Sequence, residues 1–161
     1  MPHRDTYIVR AELTISTGIT AVQLKAGSSA GFEILDCTVT QKGSTTSAQE
    51  KIALVRKSSA ATVTAASVGS TGLANGVFMT DPNAATPALV LSTSGTGFTA
   101  SAEGTDGDVP LQLGFNVLNG CYEIPVPERR IWVPPSGIIG VKFFTAPASQ
   151  LWEFNIGIQE L

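Results

Sequence analysis

The residues that could carry out chemistry are few, and they lie far apart along the chain. His3 is the only histidine, and Cys37 and Cys121 are the only cysteines. A serine or cysteine nucleophile needs a neighbouring base, and the chain has no G-x-S-x-G turn to hold such a serine. A zinc ion needs three or four nitrogen, sulfur or carboxylate ligands in one place. We therefore expect a protein that is not an enzyme and that holds no metal or other cofactor.

One group of carboxylates lies on a glycine-rich stretch. Glu103, Asp106 and Asp108 surround Gly104 and Gly107, and oxygen ligands on such loops can bind Ca²⁺. The spacing is not that of an EF-hand loop, and Asp106-Gly107 is also a common hairpin turn. The sequence leaves both interpretations open and favours the turn.

The two cysteines are compatible with a disulfide or with two free thiols. Their positions form no C-x-x-C motif and no metal-ligand spacing, and the sequence does not show whether they are close in space. Two partly buried free thiols, in a protein made in a reducing cytoplasm, are the favoured interpretation.

Composition and charge limit the class of protein. The chain has 161 residues, enough for one domain, of which 43% are hydrophobic and only 14% charged, against about 25% charged in average soluble proteins. Residues 58–128 contain no Lys or Arg, and no basic stripe offers a nucleic-acid surface. No apolar run approaches the roughly 20 residues that span a membrane, and the N-terminus lacks the apolar core of a secretion signal. We expect neither a nucleic-acid nor a membrane partner.

Alternation of apolar and polar residues predicts the longest strands. Residues 6–16 and 151–161 alternate with period two, as half-buried strands do. The last strand carries Trp152 and Phe154, so we predict that it is central and that both side chains lie in the core. Within residues 32–41 the apolar positions change parity, which predicts a β-bulge.

Residues 47–57 fit two structures. Ser47 and Glu50 form a capping-box pattern, and Ile52 with Val55 has helical spacing. Equally, Ile52, Leu54 and Arg56 alternate with Lys51, Ala53 and Val55, as in a strand. The strand is favoured because residues 61–68 look like its hairpin partner.

Turn signals complete the predicted architecture. Residues 87–92 and 97–103 are predicted strands, and Asp106-Gly107 and Asn119-Gly120 bracket another at 109–117, which predicts an antiparallel meander. Pro125, Pro127 and Pro134-Pro135 mark strand ends and edges. With nine to eleven short strands, the predicted fold is all-β: an antiparallel two-sheet sandwich, jelly-roll-like, over residues 6–161, preceded by an N-terminal arm of residues 1–5.

Several stretches of the C-terminal half resemble small virion proteins of tailed bacteriophages. These are Ala-Glu-Gly-Thr-Asp-Gly-Asp-Val (102–109), Gly-Phe-Asn-Val-Leu-Asn-Gly (114–120), Pro-x-Pro-Glu-Arg (125–129), Val-Pro-Pro-Ser-Gly (133–137) and the closing Ile-Gly-Ile-Gln-Glu-Leu. The resemblance implies a capsid cement, or decoration, protein. Such a protein would be made in the host cytoplasm and located on the capsid surface of the virion. It would form a homotrimer and stabilise contacts between capsomers by binding the major capsid protein.

The candidate partner-binding residues come from three places in the chain: the arm, one loop, and a stretch rich in the residue types enriched at binding hot spots, Trp and Arg. They are His3, Arg4 and Asp5; Lys42, Gly43, Ser44, Thr45 and Thr46; and Arg129, Arg130 and Trp132. Packing within an edge strand is the alternative role of Trp132. The alternative function is a receptor- or glycan-binding head module of a phage tail, which an exposed aromatic platform beside Asn, Asp or Gln would favour.

Overall fold

Twelve β-strands and one short 3₁₀ turn make up the described chain. The computed structural model describes residues 5–43, 45–69, 74–148 and 150–161. No helix in these ranges is long and apolar enough to cross a bilayer. The elements are β1 (Thr6–Ile15), β2 (Thr20–Lys25), β3 (Phe32–Lys42), β4 (Gln49–Lys57), β5 (Thr62–Ala65), β6 (Gly76–Met79), β7 (Gly97–Ala102), β8 (Leu111–Asn116), β9 (Cys121–Glu123), the 3₁₀ turn Pro127–Arg129, β10 (Ile131–Val133), β11 (Ile138–Phe143) and β12 (Gln150–Glu160).

The strands form two antiparallel sheets that pack face to face. Sheet A has the order β10-β3-β12-β1-β6, with β9 also paired to β3, and sheet B has the order β5-β7-β2-β11-β4-β8. The core-facing positions of both sheets bury one continuous apolar cluster. The predicted all-β, two-sheet antiparallel sandwich is confirmed.

The strand order is that of a jelly roll. Four consecutive positions of sheet A, starting at one edge, are the β9/β10 pair, β3, β12 and β1, and four consecutive positions of sheet B, starting at one edge, are β8, β4, β11 and β2. Along the chain, β1, β2, β3 and β4 alternate between the sheets, as do β9/β10, β11 and β12. This repeated crossing of the chain from one sheet to the other is the arrangement of eight-stranded jelly rolls. Residues 58–110 are an insertion that adds β5 and β7 to sheet B and β6 to sheet A.

The strands with the clearest alternation are where the sequence predicts them. β12 lies between β3 and β1, and Trp152 and Phe154 are fully buried. The ambiguous residues 47–57 contain strand β4. The register of β3 against β12 shifts where Gly157 pairs with Asp36 and Ile158 with Ile34, which leaves Leu35 as the extra residue of the predicted bulge.

The predicted strand pairings around the glycine turns are wrong. β5 pairs with β7 and not with β4. β7 and β8, on either side of Asp106-Gly107, do not pair with each other, and Asn119-Gly120 connects β8 of sheet B to β9 of sheet A. Residues 87–92 contribute a single bridge at Leu89 instead of a strand. Alternation shows which face of a strand is buried but not which strand lies beside it, and a short turn can join two sheets as well as two neighbours.

The insertion is fixed to the outer face of sheet B by buried polar side chains. The Gln23 side chain accepts a hydrogen bond from Ala61 N (2.8 Å) and donates one to the Gly95 carbonyl (2.6 Å). The Glu103 carboxylate accepts hydrogen bonds from Thr20 N (2.5 Å) and Thr20 Oγ1 (2.7 Å). These bonds satisfy polar groups of β2 that the insertion removes from water.

Two lysines and two carboxylates form an ion-pair network under the same insertion. The Lys57 side chain is 0% exposed, and its Nζ lies 3.0 Å from Glu103 Oε2 and 2.7 Å from Asp106 Oδ1. Lys142 Nζ lies 2.6 Å from Asp106 Oδ2 and 3.3 Å from Glu103 Oε2. Burial opposes ionisation of Glu103, but the hydrogen bonds from Thr20 and Lys57 prevail and lower its pKa. The pKa of Asp106 is lowered in the same way by Lys142 and Lys57.

This network predicts a fall in stability at acidic pH. Because the folded-state pKa values of Glu103 and Asp106 lie below their ordinary 4.5 and 3.8, their contribution is present above those values and is lost as the pH falls through the folded pKa values. Hydrogen bonding to Asp106 raises the pKa of Lys142 despite partial burial, so its contribution is lost only in strong alkali. We expect the midpoint temperature of thermal unfolding to decrease when the pH is lowered below about 4. The double variant E103Q/D106N is expected to show a shallower fall, and an equal fall would contradict this assignment.

Candidate partner-binding surface

The structure places the sequence-predicted site residues at two ends of sheet A. Asp5 and Trp132 lie at one end, and Lys42 lies at the other, because β3 runs from a partner of Trp132, Glu33, to Lys42. Nine strand residues span roughly 30 Å, so these groups do not form one compact site. His3, Arg4 and Ser44 lie outside the described residues.

Asp5 is held against the body of the domain. Its carboxylate accepts a hydrogen bond from Ala85 N (3.2 Å), and its carbonyl accepts one from Glu160 N (3.1 Å). Tyr7 donates to the Ala85 carbonyl (2.8 Å), and burial together with Glu160 and Asp5 raises the pKa of Tyr7 to about 12. The first residue of the predicted sandwich, Thr6, therefore follows a residue that is already fixed in place.

Of the predicted loop 42–46, Lys42 is the last residue of β3, and the described residues that follow it lie at an end of the domain built from four loops. Val117 N donates to the Ala48 carbonyl (3.0 Å), Ala148 N donates to the Glu50 carboxylate (3.3 Å), and Phe143 N donates to the Ile19 carbonyl (2.9 Å). These bonds join the loops that follow β1, β3, β8 and β11 into one surface, which we call the loop end. Leu118 and Phe144 are 48% and 46% exposed there.

A stretch that the sequence did not single out, residues 117–128, joins the loop end to the predicted residues Arg129, Arg130 and Trp132. We call residues 117–132 the docking segment. Along it, Leu118, Tyr122, Ile124 and Val126 all expose large apolar side chains, the last three by 63%, 59% and 57%. β9 ends at Glu123, before Pro125 and Pro127, which cannot donate to a strand ladder. The Pro-x-Pro pattern is the sequence feature that indicates the end of this strand.

A groove opens between the two sheets behind this segment. Its volume is about 520 Å³, and it lies on the open side of the jelly roll, between β9/β10 and β4/β8. Buried residues of β3 and β4 form its floor, and the docking segment forms one wall. The lining includes Ile34, Leu54, Leu111, Ile124, Val126 and Ile131, together with Arg56, Arg129 and Arg130. Two predicted residues, Arg129 and Arg130, therefore belong to a concave site.

Trp132 is on a different face from the groove. It pairs with Glu33, and Tyr122 pairs with Thr38, so both aromatic side chains project from the outer face of sheet A. A Cβ at Gly31 would lie 2.3 Å from Trp132 Cη2, which shows that the indole packs directly on the Gly31 backbone. Trp132 remains 40% exposed. It therefore packs at an edge strand and also presents aromatic surface.

The described residues supply no group of three or more His, Cys, Asp or Glu placed to hold a metal ion. Of the carboxylates considered for calcium, Glu103 and Asp106 bind Lys57 and Lys142 instead. Asp108 uses its carbonyl oxygen to accept a hydrogen bond from Arg56 N (2.8 Å). Asp106-Gly107 is therefore a lid over two lysines rather than a simple hairpin turn.

The two thiols are free and poorly ionised. Burial is the main cause that raises the pKa of Cys37 to about 12 and that of Cys121 to about 11. Since the thiolate is the reactive form, we expect iodoacetamide to label the native protein slowly at neutral pH, with Cys121 ahead of the more buried Cys37. Both should react rapidly in urea. Rapid native labelling of Cys37, measured by mass spectrometry, would contradict this expectation.

Comparison of the chain with models of protein families, with curated proteins and with solved structures finds no match.

Proposed function

We propose that this chain is a structural virion protein that decorates the outside of a phage capsid and stabilises contacts between capsomers. The observation that carries the proposal is the docking segment, where Tyr122, Ile124 and Val126 expose apolar surface beside Arg129 and Arg130. Aromatic residues and arginine over an apolar centre are the composition of protein–protein interfaces. The jelly roll supports the proposal as well, because this fold occurs in capsid proteins. It occurs in lectins too, so the fold alone does not decide.

The docking segment supplies the main contact with the major capsid protein in this proposal. The loop end, with Lys42 to Thr46, continues the same surface through Leu118. The arm residues His3 and Arg4 precede Asp5, which lies at the opposite end of sheet A, and in this proposal they bind a different neighbour. A shell strained by packaged DNA gains stability from such bridging contacts without any chemistry.

The test removes apolar surface from the docking segment without touching the core. The double variant I124S/V126S is expected to bind purified heads at least about tenfold more weakly than the wild type, because it deletes two aliphatic side chains from the contact. The matched control is I8S/M79S, which removes two exposed apolar side chains at the opposite edge of sheet A. Equal binding of heads by all three proteins would remove the docking segment from the proposal.

The proposed assembly is a homotrimer. Few charges oppose self-association, and three weak contacts held in one particle gain avidity through effective concentration. Light scattering of the purified protein should give about 50 kDa, three times the 16.7 kDa of one chain. A mass of one chain at micromolar concentration would contradict the trimer.

A second candidate function has its own observation. Tyr122 and Trp132 project from the outer face of sheet A, with Leu35, Asp36 and Thr38 on β3 between them. Exposed aromatic rings beside polar side chains also suit sugar rings, which present both apolar faces and hydroxyls. A glycan-binding head module would lose binding to cell-surface polysaccharide in the variant W132A/Y122A. Capsid decoration through the docking segment would instead be weakened more by I124S/V126S than by W132A/Y122A.

A further inference from the structure

One wall of the groove carries a charged residue at a position that belongs to the core. In β4, Ile52 and Leu54 are buried on the core-facing side, and Arg56 has the same parity. Arg56 is partly exposed, lines the groove and forms no ion pair with any residue that the structure describes. An unpaired charge on the inner face of a sandwich is costly unless solvent or a ligand reaches it.

The other wall adds two more guanidinium groups. Arg129 ends the 3₁₀ turn and has no ion-pair partner within the described ranges. Arg130 lies 3.7 Å from Glu33, a long ion pair, and its Nε is buried without a hydrogen-bond acceptor in the described chain. The three arginines come from both sides of one groove, so an anion placed between the walls would meet more than one of them.

Two glutamates in the same lining limit the kind of anion. Glu123 and Glu128 line the groove together with the arginines, so a nucleic-acid backbone or another polyanion would meet repulsion along its length. A single carboxylate flanked by apolar groups would not, because the rest of the lining is largely aliphatic. Guanidinium groups bind carboxylates through paired hydrogen bonds. The groove volume, about 520 Å³, is within the usual range of binding pockets.

We infer that the groove binds an extended peptide segment in which apolar side chains flank one acidic side chain. The identity of the protein that supplies the segment, the major capsid protein, rests on the proposed function. The chemistry of the segment rests only on Arg56, Arg129, Arg130 and the apolar lining.

The direct test uses probe peptides and does not involve capsids. The probe is acetyl-Leu-Val-Glu-Val-Leu-amide, and its control carries Gln in place of Glu. In nuclear magnetic resonance titrations the acidic peptide should shift the Nε–H signals of Arg56 and Arg129 saturably and bind at least about fivefold more tightly than the control. R56Q and R129Q should remove that preference, whereas K51Q, which neutralises an exposed lysine of β4, should keep it.

Three results would overturn the inference. They are no shift at the groove with either peptide, equal binding of both peptides, or tighter binding of an oligothymidine than of the acidic peptide. Binding of R56Q and R129Q to heads separates this inference from the proposed function. If both variants bind heads as the wild type does, the groove is not part of the capsid contact, and capsid decoration is not contradicted. If heads do not bind the wild-type protein but the protein still prefers the acidic peptide, capsid decoration is rejected and the inference about the groove stands.

Discussion

Replacing Trp152 with alanine is expected to lower the free energy of unfolding by about 4 kcal/mol. Trp152 is 0% exposed near the start of β12, and its ring lies 5.1 Å from that of Phe143 and 6.1 Å from that of Phe115, centroid to centroid. The contacts join the terminal strand of sheet A to β11 and β8 of sheet B. Loss of the indole would leave a cavity between the sheets that rigid strands cannot close.

Urea unfolding followed by circular dichroism measures this effect. Two controls separate packing from the loss of a tryptophan. W132A removes a partly exposed indole at the edge of sheet A and should cost less than about 1 kcal/mol. W152F should cost about half as much as W152A, because the buried Trp152 Nε1 has no acceptor among the described residues and phenylalanine gives up no hydrogen bond. Equal losses from W152A and W132A would contradict the core assignment.

Replacing Lys57 with methionine is expected to cost about 3 kcal/mol of unfolding free energy. The Lys57 ammonium is the buried member of the network, and its removal leaves Glu103 and Asp106 with Lys142 as their only ammonium partner in the described structure. Methionine fills similar space, so the loss reports charge pairing rather than a cavity. The insertion over sheet B should loosen before the rest of the domain.

A double-mutant cycle tests the cause. K57M and D106N together should destabilise less than the sum of the single variants, because each removes the partner of the other. K51M changes an exposed lysine of the same strand and should be nearly neutral. Hydrogen exchange should show faster exchange around residues 103–106 in K57M. Additive losses, or exchange that is unchanged there, would mean that Lys57 stabilises the domain through its aliphatic stem alone.

Local pattern predicted the faces of the strands but not their neighbours. β1 and β12 could be predicted because their apolar residues alternate over ten or more positions. The bulge at Leu35 could be predicted because the apolar positions change parity inside one strand. The order in which the chain crosses between the two sheets could not be predicted, since Asn119-Gly120 has the sequence of a hairpin turn and yet connects sheet B to sheet A. Which strands pair depends on how the two sheets share the core, and that is a property of the whole chain.

The candidate site was predicted only in part for the same reason. Arg129 and Arg130 were chosen for their residue type, and they line the groove. Arg56 was missed because a charged residue near the end of a strand is usually solvated, although its parity is that of the core residues Ile52 and Leu54. Lys57 was missed because a lysine that ends a strand is usually solvated, and only the fold of residues 103–106 over it makes it buried.

Binding of the purified protein to purified phage heads that lack it tests the proposed function most directly. Heads mixed with increasing protein and then sedimented should carry it to a saturating level that is a fixed small number of trimers per capsomer, and they should resist heat or chelating agents better than bare heads. Weakening by I124S/V126S but not by I8S/M79S should accompany this saturation. Heads that sediment without the protein at every concentration, while the same preparation binds host-cell polysaccharide, would contradict capsid decoration.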